Sequence, residues 1–119
     1  MRKWEADREL SSKSFKSVKY YHFDAPIDIN YQTAGDVNIE EYGLYLICFN
    51  QIHNSARPSG IKLVDGNDTI LFYDEDRTDL NFFVGFSYFN PGNFKIKCKS
   101  IKTNTESTNE VRGIVMKIT

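Results

Sequence analysis

The sequence has few of the residues that most often carry chemistry. It holds two histidines, two cysteines and one tryptophan in 119 residues. Neither a His-x-x-x-His nor a Cys-x-x-Cys spacing occurs, so the common zinc and redox signatures are missing. Cys48 and His53 lie five positions apart across a strand end, which does not turn the imidazole back toward the thiol. The seven glycines are scattered at turns and strand starts, and none builds a phosphate-cradling loop. Asp24, Glu40 and Glu41 suit glycoside chemistry by residue type only, and no spacing selects them. The expectation is a chain without enzymatic activity, metal or cofactor.

Charge of one sign is lacking too. Fifteen basic residues against sixteen acidic ones leave a net charge of −1, so there is no general pull toward phosphate backbones and nucleic acid is not an expected partner. No apolar run approaches the ~20 residues that span a bilayer, so membrane insertion is not expected. The opening MRKWEADREL is charged throughout and holds no signal-peptide core. Cytosolic synthesis follows as an expectation, with a virion protein assembled in the host cytoplasm or an excised extracellular domain as settings that read the same way.

What is present is globular and aromatic. Hydrophobic residues make up 40% of the chain and aromatics 14%, with nine Phe and seven Tyr, a composition that fits half-buried pleated surfaces. The length suits one domain whose core needs no disulfide or metal. Cys48 and Cys98 sit in apolar or alternating runs and read as buried free thiols. A disulfide between them is disfavoured in a reducing compartment.

From Phe15 the pattern has period two. FKSVKYYHF places Val18, Tyr20 and His22 on one face and Lys19, Tyr21 and Phe23 on the other. IDINY alternates again, TAGD reads as a turn, and VNI as a short strand with Val37 and Ile39 inward. Gly43 then leads into Leu44–Phe49, six uncharged residues apolar on both faces, and both faces of such a strand must be covered. Asp65-Gly66 between IKLV and TILFY marks a hairpin, with Gly66 as the residue free to take positive φ. LNFFVGFSYF, an NPGN turn and FKIKCK follow. The last has Phe94, Ile96 and Cys98 inward and Lys95, Lys97 and Lys99 on a solvated face or guarding an edge. Ile101 falls out of phase, so a strand end or bulge is expected near Ser100. VRGIVMKIT closes the chain.

About eight or nine short antiparallel strands with turns every ten residues or so predict an all-β, single-domain β-sandwich over residues 15–119. Residues 1–14 are expected to form a short helical or extended N-terminal arm in which Trp4 needs a cover. Asp65, Asp68, Asp74, Asp76 and Asp79 could hold calcium if their loops met, although a solvated acidic loop is the plainer reading.

The segment VNIEEYGLYLICFN resembles a strand pattern of the complement and tumour-necrosis-factor-like jelly-roll heads, carried by Val37, Ile39, Gly43, Tyr45, Ile47 and Phe49. GIKLVDGNDTILFY, NPGNFKIKC and IVMKIT look like the segments that follow in such heads. The resemblance implies a jelly roll of the kind found in bacteriophage fibre and receptor-binding proteins. It also implies a homo-oligomer, trimer favoured, with Trp4, Tyr45, Ile47 and Phe49 as interface candidates. The function it implies is a structural or adhesive module of a virion fibre, tail or head decoration. Its partners would be copies of itself, other virion proteins or a cell-surface glycan. The alternative is a monomeric carbohydrate-binding module of galactose-binding-like type. Its loops 50–60, 74–80 and 102–110 would use His53, Arg57, Tyr73, Asp74 and Asp76.

Overall fold

The computed structural model describes residues 18–53, 58–78, 80–101 and 108–119. Eight strands follow one another: β1 (Val18–Asp24), β2 (Gln32–Ile39), β3 (Gly43–His53), β4 (Gly60–Val64), β5 (Ile70–Glu75), β6 (Leu80–Phe89), β7 (Gly92–Lys99) and β8 (Asn109–Lys117). They form two four-stranded antiparallel sheets. The first has the order β1-β8-β3-β6 and the second β2-β7-β4-β5. Among the described residues there is no helix, and so none long and apolar enough to cross a membrane. The expected N-terminal arm and Trp4 lie outside the described residues.

The core lies between the sheets. Tyr45, Ile47 and Phe49 of β3 meet Val37, Ile39, Ile61, Leu63, Ile96 and Cys98 of the second sheet. Aromatic rings carry much of this contact: Phe49 packs 5.8 Å from both Tyr21 and Phe83, and Phe72 stacks on Phe83 across the sandwich edge. Room for Phe49 comes from Gly113 on the neighbouring strand. A Cβ there would lie 2.2 Å from the ring, so only glycine fits under it. Gly43 answers a similar need, because a Cβ would sit 2.4 Å from the Thr119 carbonyl oxygen where the chain's last residues cross β3.

Four expectations need correction. IDINY is not a strand: the Asp28 carboxylate accepts the Asn30 N–H at 2.8 Å, an Asx turn that ends the alternation. TAGD is not a turn but part of β2, where the register shifts between Thr33 and Gly35 and leaves Ala34 as the extra residue of a bulge. The β4–β5 hairpin is present, but Asp68, with φ of 63°, is the left-handed residue and no described glycine has positive φ. The strand end near Ser100 is found, with β7 stopping at Lys99 and the Ser100 N–H bonded to the Asp28 carbonyl. Phe94, Ile96 and Cys98 do turn inward. β7 is an inner strand, so its lysines do not guard an edge.

Candidate functional site

The two outer faces of the sandwich differ in chemistry. The second sheet's is polar and paired. Lys95 Nζ lies 2.9 Å from Asp36 Oδ1, Lys97 Nζ 2.9 Å from Asp68 Oδ1, and Lys99 Nζ 3.6 Å from Glu75 Oε2. The Tyr31 ring lies among these cations, 4.1 Å from Lys62 Nζ and 5.0 Å from Lys99 Nζ, and its hydroxyl donates to Glu75 Oε1 at 2.7 Å. Burial, and then that carboxylate, push the Tyr31 phenol well above its ordinary range.

The first sheet's outer face is apolar. β6 is an edge strand, and it turns Leu80, Phe82, Val84, Phe86 and Tyr88 outward. Phe86 is 65% exposed and Val84 57%. Tyr42 stacks on Tyr88 with ring centroids 5.9 Å apart. Leu44, Leu46 and Ile52 of β3 and Ile114 and Met116 of β8 extend the surface, each half-buried. The strip of Tyr42 and the five β6 residues exposes on the order of 600 Å² when each aromatic offers roughly 150–250 Å² in full. Soluble monomers rarely show more than a few hundred in one patch. Toward β1 the face becomes polar, with a shallow groove of about 520 Å³ lined by Tyr20, His22, Cys48, Asn50, Arg112 and Ile114.

Counting hydrophobic residues would have turned β6 the other way. Its inner face holds Asn81, Phe83, Gly85, Ser87 and Phe89 and is the less apolar one. The register decides: Gly85 and Ser87 pair with Ile47 and Tyr45, so small residues stand beside large ones. Eight antiparallel strands in two four-stranded sheets of this order make a jelly roll. The fold is that of the tumour-necrosis-factor-like jelly rolls.

That jelly roll matches the crystal structure of murine APRIL at pH 8.0 with a TM-score of 0.56 and 14% identity, covering 84% of this chain and 98% of that one. It also matches a protein of Bacillus endospore appendages, described as a novel family of disulfide-linked pili. There the TM-score is 0.53 and the identity 12%, over 86% of this chain and 88% of that one. No protein-family model and no curated protein matches the sequence.

The jelly roll redistributes the candidate residues. Tyr45, Ile47 and Phe49 are core residues, not interface residues: their side chains occupy the inner face of β3, and Ile47 and Phe49 are wholly buried. The outward face of β3 belongs to Leu44, Leu46, Cys48, Asn50 and Ile52. His53 is buried as well, with Nε2 3.1 Å from Asn81 Nδ2. Tyr73 stands exposed on β5 of the other sheet, so His53 and Tyr73 do not share a site. Asp74 receives Arg77 Nε at 2.8 Å and the Phe82 N–H at 3.0 Å. Asp76 accepts the Ser59 N–H at 3.3 Å. Arg57 and Asp79 lie outside the described residues. The Asp65 and Asp68 turn and the Asp74 and Asp76 loop occupy opposite ends of the β4–β5 hairpin, roughly 17 Å apart at five strand residues, so the two acidic sets do not meet.

Two features are complete only in the tertiary structure. The row of Phe82, Val84, Phe86 and Tyr88 on β6 is visible as alternation, but nothing local shows which side it takes. His22 and Asp24 stand in the HFD triplet of β1, but no local spacing brings them a third ligand. The β1–β8 pairing places them on one face beside Glu110.

Proposed function

We propose that this protein is a structural or adhesive module that assembles with copies of itself, as a homotrimer, through the outer face of its first sheet. One observation carries this reading: one outer face is aliphatic and aromatic while the opposite face is ion-paired. Burying the apolar strip brings the contact close to the ~800 Å² per partner of a standard interface. It also covers the exposed, ten-residue apolar edge strand β6, which invites pairing when left bare. The occurrence of the same fold in pilus-forming endospore appendages supports a role in a surface polymer or particle. A virion fibre, tail or decoration component is the setting proposed here. The module is read as non-enzymatic.

The test is the solution mass of the full chain by light scattering and native mass spectrometry. Three times 13.8 kDa is expected at micromolar concentration. Phe86→Lys should yield a folded monomer, while Tyr73→Lys on the other sheet should leave the assembly intact. A folded wild-type monomer at high concentration, or an assembly that tolerates Phe86→Lys, would sink the reading.

A further inference from the structure

At the β1 edge of the first sheet, three side chains of mixed chemistry converge. His22 and Asp24 are two residues apart on one strand and therefore share a face. Asp24 is the direct register partner of Glu110 on β8, and Glu110 also reaches diagonally to His22, with Nε2 2.5 Å from Glu110 Oε1. One donor atom from each of the three lies within 4.8 Å of the others, the one such grouping of three among the described residues.

This arrangement has a cost as a bare surface. Two carboxylates directly opposite on paired strands repel. His22 and Arg112 offset part of that, the latter with a guanidinium nitrogen 3.6 Å from Glu110 Oε1. A divalent cation would offset it fully. Zinc holds nitrogen and oxygen ligands at roughly 2.0–2.2 Å, so small side-chain rotations bring all three donors onto one ion. The donor set also discriminates. One imidazole with two carboxylates suits zinc-type ions, whereas calcium wants six or more oxygens. β1 is an edge strand, so the ion has an open approach.

We propose that His22, Asp24 and Glu110 bind one divalent transition-metal ion of the zinc type, with water completing its coordination. The site does not depend on the assembly reading, since all three ligands come from one chain.

The experiment is calorimetric titration of the chelator-stripped, tag-free 119-residue chain with zinc chloride at neutral pH. One zinc per chain is expected. His22→Ala should weaken binding by more than about tenfold, as should Asp24→Asn with Glu110→Gln, since even outer-shell changes cost 10–100-fold. Cys48→Ser should leave the titration unchanged, although Cys48 lines the adjoining groove. Circular dichroism confirms that each variant is folded, and the carboxamide pair keeps the test alive if His22→Ala is not. No saturable uptake, uptake indifferent to His22→Ala, loss in Cys48→Ser, or equal affinity for calcium would each overturn the proposal.

Discussion

Asn81 shows what one residue does here. Its amide nitrogen donates to Gln51 Oε1 at 2.9 Å and to Ser59 Oγ at 3.0 Å, and its oxygen accepts the Arg77 N–H at 3.0 Å. Gln51 continues the chain of bonds to the Lys99 carbonyl and to Asn109 Oδ1. Asn109 in turn donates to the Pro26 carbonyl at 2.9 Å. These amides are almost fully buried, and among the described residues no buried side-chain polar atom lacks a partner. The cluster ties β3, β6 and β8 to the β1–β2 and β4 ends at one pole of the sandwich. Removing Asn81 strands Gln51 Oε1 in a dry site. Asn81→Ala should therefore cost about 2–4 kcal/mol in urea unfolding, mostly the penalty of unpaired polar atoms. Cys98 is buried in the adjoining core, and its thiol is pushed up to about 12 by desolvation alone, so it behaves as a small hydrophobe.

At the scale of elements, β7 and its neighbours hold the polar face together through exposed pairs. Lys95 holds the Asp36 carboxyl below its ordinary range, and Lys97 does the same for Asp68, in each case by hydrogen bond first and charge second. A lowered folded-state value means the stabilisation is present above the unfolded value, ~4 for a carboxylate. It is lost as pH falls through the lowered one. Melting temperature should decline on acidification below that range. Asp36→Asn with Asp68→Asn should flatten the decline, and so should ~0.5 M salt, because screening at that strength acts within a few Å. An acid limb unchanged in the double variant would show that these pairs contribute nothing to it. Glu110 on the other sheet is lowered by the His22 hydrogen bond first and Arg112 second, so its contribution has the same sign.

The whole molecule is two-faced, and the proposed self-association would give that asymmetry a purpose. If the apolar face is buried between copies, assembly and folding are linked by mass action. Apparent melting temperature should then rise with protein concentration, and Phe86→Lys should abolish the rise while lowering the value. A melting temperature independent of concentration across the range where the mass stays trimeric would contradict that linkage.

Strand positions were legible because period two is written into side-chain type. FKIKCK and IKLV-DG-TILFY carry their inward faces and their turn locally. Gly43 does stand at a close approach, to the Thr119 carbonyl oxygen, while the run after it is fully buried on its inner face alone. The turn-like TAGD misled because a glycine beside a bulge looks like a glycine in a turn until its partner strand is known. Which face of β3 and β6 points inward could not be read locally either. That choice depends on Gly113 leaving room for Phe49, and on Gly85 and Ser87 lying beside Ile47 and Tyr45, residues distant in sequence that meet only through register. The zinc-type cluster is hidden for the same reason, since Glu110 joins His22 and Asp24 from 86 positions beyond Asp24. The amino-acid order alone determined the sandwich class, the hairpin and the absence of familiar catalytic spacings, because these follow from local periodicity and residue type. Tertiary structure decided what is core and what is surface, because only packing of non-local neighbours breaks the tie between two apolar faces.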